Sequence, residues 1–137
     1  MLRVLGAVVG NDIHAVANKL IFRQLNSENF DCWNLGVSVK PREIGDAFAE
    51  FDPHLTLISS LNGEAYYWCE DLIKKINKFR DLSQLVYIGG NLSAFGLNRH
   101  EIVQRLVNSG YSRVFAQNAS IADLLDAVAE DFSLVLV

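Results

Sequence analysis

Short apolar runs alternate with segments of helical period along the whole chain. Runs of strand length recur five times, and apolar residues spaced three and four apart follow each run. The five runs read RVLGAVV, FDCWNLGV, LTLIS, LVYIG and RVFA. The apolar stripes that follow them are Ala17, Leu20, Ile21 and Leu25; Ile44, Ala47, Phe48 and Phe51; Leu72, Ile73 and Ile76; Ile102, Val103, Leu106 and Val107; and Ile121, Leu124, Leu125 and Val128. This alternation predicts five βα units in a single domain over residues 1–137.

The pattern predicts a three-layer α/β fold of the flavodoxin-like (Rossmann-like) type. The apolar runs show little internal alternation, which indicates strands buried on both faces and paired in parallel through right-handed crossovers. Five such units favour a five-stranded parallel sheet with the order 2-1-3-4-5. Pro41 fits the first turn of the second helix, and Gly110 fits the position after the fourth. Ligands of such sheets bind beyond the carboxyl ends of the strands, so functional residues are expected there.

Composition and charge narrow the classes of partner. Half of the 137 residues are hydrophobic and a fifth are charged, as in a compact globular domain. The formal charge of -4 gives no reason to expect nucleic acid or an anionic membrane as partner. About eight mostly apolar residues precede Asn11, too few to span a membrane. We therefore expect a cytoplasmic protein.

Sequence motifs for several common ligands are absent. The loop after the first strand, GNDIHA, has neither the GxGxxG of dinucleotide-binding proteins nor the GxxxxGK[ST] phosphate loop. The third strand ends in Ser59 and Ser60, where a response-regulator receiver would carry its phospho-accepting aspartate. Cys32 and Cys69 lie far apart without a CxxC spacing, which predicts two free thiols and no zinc site.

The first loop instead contains a carboxylate two residues before an imidazole, in Asp12-Ile13-His14. A histidine that ligates a metal usually donates its second ring N–H to a carboxylate or carbonyl, which fixes its tautomer. Residues two apart on an extended chain point the same way, so Asp12 and His14 can meet. The alternative is that Asp12 caps the first helix and His14 is a solvated loop residue.

Two more strand ends contain candidate binding residues. Ser59 and Leu61 end the third apolar run, and Gly89 and Gly90 end the fourth. Paired glycines allow a flat ligand to approach the backbone, and a serine hydroxyl can hydrogen-bond a ring nitrogen. Taken singly, the same residues are equally typical of a tight turn and a helix N-cap.

In combination, Asp12-x-His14, Ser59-x-Leu61 and Gly89-Gly90 resemble the DxHxxG, SxL and GG signature of cobalamin-binding domains that hold the cofactor base-off and histidine-on. The pieces occur in the family's order, at the ends of the first, third and fourth strands. The stretches DIHAVANKLI, FDCWNLGVSVKPRE, LISSLNGE, YIGGNL and GYSRVFA are similar to the small subunits of glutamate mutase (methylaspartate mutase) in particular.

This resemblance implies adenosylcobalamin as cofactor and a role for each signature residue. His14 would replace dimethylbenzimidazole as the lower axial ligand of cobalt, and Asp12 would hydrogen-bond the other nitrogen of its ring. The residues that would line the slot for the displaced nucleotide tail are Ser59, Leu61, Gly89 and Gly90. The chain departs from the signature at Ala17, which stands where the family has the closing glycine of DxHxxG and places a methyl group at the tail slot.

The resemblance also implies a division of labour between two subunits. This chain would carry the cofactor and be inactive alone, while a larger barrel-fold subunit would hold the substrate as glutamate and 3-methylaspartate are interconverted. Two alternatives stay open. One is a corrinoid carrier, chaperone or sensor module without mutase activity, and the other is an interaction module that has lost its cofactor.

Other features have structural interpretations. His54 and His100 are predicted surface residues rather than ligands. The aromatic cluster YYW at 66–68 belongs either to the core or to a partner-binding surface. The apolar ending FSLVLV either completes the packing of the last helix or adds to an interface.

Overall fold

Strands and helices alternate through the chain as the sequence predicts. The computed structural model describes residues 1–9, 16–60, 65–90, 98–115 and 119–134, with the backbone alone for residues 16, 17 and 65–67. The strands are β1 (Arg3–Val8), β2 (Asp31–Asn34), β3 (Leu55–Ser60), β4 (Leu85–Gly90) and β5 (Arg113–Val114). The helices are α1 (Val16–Ser27), α2 (Pro41–Phe51), α3 (Ala65–Asn77), α4 (Arg99–Ser109) and α5 (Ile121–Asp131).

The sheet is parallel, with the order β2-β1-β3-β4-β5, so the predicted fold class and strand order are confirmed. Helices cover both faces of the sheet. On one face, α2, α3 and α4 bury a core that includes Leu5 of β1 and Ile88 of β4. On the other face, α1 and α5 bury a second core that includes Val4 of β1 and Tyr87 of β4. Neighbouring residues of one strand therefore belong to opposite cores, as the pleat requires.

The two edge strands are shorter than the apolar runs that predict them. The run FDCWNLGV yields the four-residue strand β2, whose end residues Asp31 and Asn34 are exposed. The run RVFA yields the two-residue strand β5. Both strands have a partner on one side only, and short edge strands leave few backbone groups open to pairing with another chain.

Local sequence signals set the helix ends. Pro41 is in the first turn of α2, and Gly110 ends α4 at a φ of 119°, in the left-handed region that glycine favours. Ser120 caps α5: its side chain accepts a hydrogen bond from the backbone of Asp123, whose carboxylate accepts one from the backbone of Ser120. The predicted ends of α2 and α4 at Pro41 and Gly110 are thus confirmed.

His54 is half-buried at the amino-terminal edge of the sheet and forms hydrogen bonds with the backbone of β1. Its Nδ1 accepts a hydrogen bond from the backbone N–H of Arg3 at 2.9 Å, and the backbone N–H of His54 donates to the Arg3 carbonyl. Burial, followed by the nearby charge of Arg3, lowers the pKa of His54, which favours the neutral ring that this bond requires. His100 is exposed on α4, as predicted.

Candidate functional site

The carboxyl edge of the sheet collects the ends of the strands that carry the predicted site residues. Ser59 of β3 pairs in register with Val8 of β1 on one side and with Gly89 of β4 on the other. The backbone N–H of Val9 also donates to the Ser59 carbonyl at 3.0 Å. Ser59 and Gly89, predicted from separate motifs, therefore lie side by side.

Both flanks of segment 10–15 are fixed at this edge. Val9 forms a parallel bridge with Val39, whose N–H donates to the Val8 carbonyl. Asn18, buried in the first turns of α1, accepts a 2.6 Å hydrogen bond from the side-chain amide of Asn34 at the end of β2. Asp12 and His14 themselves lie outside the described residues, as does Leu61.

A cavity of about 250 Å³ opens beside Ser59 and Gly89, between the sheet and helices α1 and α5. Its walls are mostly apolar and include Leu20, Ile21, Leu57, Phe115, Ile121 and Leu124. A space of this size suits a small ring system. Leu20 belongs to the predicted apolar stripe of α1 yet is 48% exposed, because it lines this cavity instead of the closed core.

Tyr87 forms part of the cavity wall, and its hydroxyl is held by contacts with helix α5. The hydroxyl donates to the carboxylate of Asp131 and lies 3.3 Å from the Ala127 carbonyl. Arg113 holds Asp131 through two bonds of 2.8 and 2.7 Å, and this contact lowers the pKa of the carboxyl group. Burial, followed by the bond to Asp131, raises the pKa of Tyr87, so the phenol stays protonated at neutral pH.

The paired glycines at the end of β4 have different roles. Gly90 has a φ of 107°, a left-handed conformation that strains any residue with a side chain. Gly89 is not in that region, but a Cβ placed on it would lie 3.2 Å from the Cβ of Phe115. The first glycine therefore makes room for a neighbouring side chain, and the second permits a left-handed backbone conformation at the end of the strand.

Ser60 differs from Ser59 in that it faces the other core. Its side chain is fully buried, and its hydroxyl has no hydrogen-bond partner among the described residues. Within the described residues, no group of three potential metal-ligating side chains comes together. The thiols are free, as predicted, and burial raises the pKa of Cys32 to about 11 and that of Cys69 to about 12, so both stay protonated.

Comparison with known proteins assigns this cavity-bearing sheet to a family. The sequence profile of the B12 binding domain matches residues 2–106. The chain belongs to the B12-binding domain family. Within that family, it is 33% identical over 132 residues to the glutamate mutase sigma subunit of Carboxydothermus hydrogenoformans, covering 96% of each chain. It is 32% identical to the glutamate mutase sigma subunit of Clostridium tetani, over 88% of this chain and 90% of that one. The resemblance to glutamate mutase small subunits is thus confirmed.

Solved structures of other B12-binding proteins share the fold. A cobalamin-binding protein from Desulfitobacterium hafniense superposes with a TM-score of 0.75 at 20% identity, over 95% of this chain and 58% of that one. The Methanosarcina barkeri monomethylamine corrinoid protein gives 0.74 at 20% identity, over 93% and 57% of the two chains. This chain thus spans somewhat more than half the length of each. The regulatory domain of the iron-transport regulator RitR gives 0.70 at 11% identity, so the fold extends beyond the B12-binding domain family.

The signature of this B12-binding domain is only partly within the described residues. Ser59, Gly89 and Gly90 lie together at the cavity, and Ala17 lies in the first turn of α1, with its side chain outside the description. Phe115 and the start of α5 line this site but were not predicted from the sequence. The available signal was the loop AQNAS at the fifth strand end, whose position at the ligand edge the strand order already implies.

Trp68 of the aromatic cluster and part of the apolar ending pack against the two cores. Trp68 packs against the core covered by α2, α3 and α4, while the side chains of Tyr66 and Tyr67 lie outside the description. Phe132 and Leu134 pack against the core beneath α5, so this part of FSLVLV completes the packing of the last helix. Within the described ranges, no helix has the length and apolar character to cross a bilayer.

Proposed function

We propose that this chain is the cobalamin-binding subunit of an adenosylcobalamin-dependent mutase that interconverts glutamate and 3-methylaspartate. The apolar cavity at Ser59 and Gly89 carries the proposal, in a chain 33% identical to a glutamate mutase sigma subunit over 96% of its length. A larger barrel-fold subunit would hold the substrate, and the chain alone, a single domain in the cytoplasm, would be inactive. Glutamate is assigned because both relatives described above are named glutamate mutase subunits.

The cavity fits the nucleotide tail of a base-off corrinoid. A flat, largely apolar base would bury its faces against Leu57 and Ile121, and the Ser59 hydroxyl can hydrogen-bond a ring nitrogen. At about 250 Å³, the cavity is of a size for such a base rather than for the whole cofactor. The corrin would therefore lie outside the cavity, over the strand ends. Leu61 and Gly90 would complete the slot.

His14 would ligate the cobalt of the cofactor, and Asp12 would accept a hydrogen bond from the other nitrogen of its ring. This pairing holds one tautomer and raises the basicity of the ligating nitrogen. The positions of Val9 and Asn18 at the carboxyl edge of the sheet support the proposal, because these described residues flank the segment that contains Asp12 and His14. When bound, adenosylcobalamin supplies the carbon-centred radical that starts the rearrangement, and the protein orients and tunes it.

Reconstitution with a glutamate mutase large subunit tests this proposal. The chain, that subunit and adenosylcobalamin together should convert glutamate to 3-methylaspartate, and omission of any one should abolish turnover. Binding of cobalamin without turnover would favour the corrinoid carrier or sensor alternative. No binding of any corrinoid would favour the interaction module.

Ala17→Gly tests the departure from the family signature. If the alanine methyl group crowds the tail, the substitution should tighten cobalamin binding while lowering stability by up to about 1 kcal/mol, the helix-propensity cost of glycine. Isothermal titration and thermal unfolding measure the two effects. Truncated corrinoids without a nucleotide tail should not respond. A clear loss of affinity, or equal gains with full-length and truncated corrinoids, would contradict the placement of Ala17 at the tail slot.

A further inference from the structure

Phe115 forms a wall of the cavity from beyond the end of β5. Its backbone N–H donates to the Ile88 carbonyl at 2.8 Å, which continues the pairing of β4 and β5 by one residue. Val114 packs toward the core of α2, α3 and α4, so Phe115 points to the opposite face, where the cavity lies. The residue lies outside the 2–106 range matched by the B12 binding domain profile.

The ring of Phe115 lies against a fixed aromatic partner. Its centroid is 5.5 Å from that of Tyr87, with the two planes tilted by 55°. Tyr87 is 1% exposed and held through its hydroxyl by Asp131, which Arg113 holds in turn. Phe115 is only half-buried and contributes no side-chain polar bond. The Tyr87 ring is therefore anchored by hydrogen bonds, whereas the position of the Phe115 ring depends on packing alone.

Gly89 controls that packing. Its backbone conformation is open to any residue, so conformational freedom does not explain the glycine. A methyl group there would lie 3.2 Å from the Phe115 Cβ, closer than well-packed carbon atoms, and at an ordinary contact distance of 4.0 Å from its Cγ. Accommodation of that methyl group would shift Phe115 by a few tenths of an ångström and re-aim its ring over the cavity.

We infer that Phe115 is a binding residue for the flat base of the corrinoid tail, and that Gly89 positions it. The inference rests on the proposed function, since it assumes that the tail enters this cavity. Offset or edge-on contact with an aromatic ring favours a planar base over an aliphatic group of the same volume. The Phe115 ring therefore selects for an aromatic tail, and Gly89 sets the distance of that ring from the strand.

A double-mutant cycle with two corrinoids tests this inference. Equilibrium titration should show adenosylcobalamin binding weakened about 10-fold by Phe115→Ala, from the lost aromatic contact and buried area, and about 5-fold by Gly89→Ala. Because alanine at 115 has no ring to re-aim, Gly89→Ala added to Phe115→Ala should cost little more. Adenosylcobinamide, which lacks the nucleotide base, should bind all four proteins alike.

Phe115→Leu is the matched control, because it keeps the apolar packing without the flat face. Its circular dichroism spectrum should match that of wild type. Its preference for adenosylcobalamin over adenosylcobinamide should nevertheless be smaller than that of wild type. Additive losses in the cycle, or equal losses with both corrinoids, would overturn the inference while leaving the proposed function intact. Failure of the wild-type protein to bind adenosylcobalamin would overturn the proposed function itself.

Discussion

Replacement of His14 by alanine is expected to weaken adenosylcobalamin binding about 100-fold or more. Loss of a partner that only orients a metal ligand typically costs about 10- to 100-fold, and loss of the ligand itself should cost at least as much. Equilibrium titration measures the affinity, and thermal unfolding should show an unchanged midpoint because residue 14 is proposed to act on the cofactor.

Two variants make the His14 result specific. Asp12→Asn should fall between wild type and His14→Ala, with binding weakened about 10-fold, because the ring keeps its place but loses its charged partner. His100→Ala removes an exposed imidazole on α4 and should bind like wild type. If His14→Ala bound adenosylcobalamin as tightly as the His100→Ala control, the proposed ligation of cobalt by His14 would be wrong.

Gly6→Ala is expected to give the largest loss of stability. A Cβ at this position would overlap the outer atoms of the Phe22 ring, and even the more distant Cε1 would be 3.1 Å away. Phe22 is 5% exposed in the core under α1, so its ring has little room to yield. Overpacking of this kind costs about 1–3 kcal/mol, and we expect about 2 kcal/mol in urea unfolding. Because Leu20 and Ile21 lie on the same helix, cobalamin binding should weaken as well.

A shorter side chain on α1 provides the matched test of Gly6. Phe22→Leu alone should destabilise the protein by leaving a cavity, but in that background Gly6→Ala should cost about 1 kcal/mol less than in wild type, since the two residues are in contact. Phe30→Leu, in the same core but away from Gly6, should give no such relief. Equal costs of Gly6→Ala in all three backgrounds would show that the ring contact does not set the stability.

The fold was predictable because it depends on features that repeat along the chain. Buried parallel strands appear as unbroken apolar runs, and each amphipathic helix appears as one stripe, so alternation and strand order follow from pattern alone. The lengths of β2 and β5 were not predictable in this way, since they depend on having one neighbour rather than two. The exposure of Leu20 could not be predicted for a related reason: periodicity identifies the apolar face of a helix but not whether a cavity lies beneath it.

Some parts of the candidate site could be predicted from the sequence, and others could not. Ser59 and Gly89 could be predicted because both end apolar runs, and parallel strands bring their carboxyl ends together. The contact between Gly89 and Phe115 could not, because it depends on how far β5 continues its pairing. The network of Tyr87, Asp131 and Arg113 joins a strand, a helix and an edge strand whose spacing only the packed structure defines.

Electron paramagnetic resonance of cob(II)alamin, bound to protein labelled with nitrogen-15 in histidine, tests whether His14 ligates cobalt. If His14 ligates cobalt, one nitrogen ligand should split the cobalt lines into triplets, which change to doublets on labelling and disappear in His14→Ala. A triplet that persists in the labelled protein and responds only to nitrogen-15 in the cofactor's benzimidazole would contradict ligation of cobalt by His14.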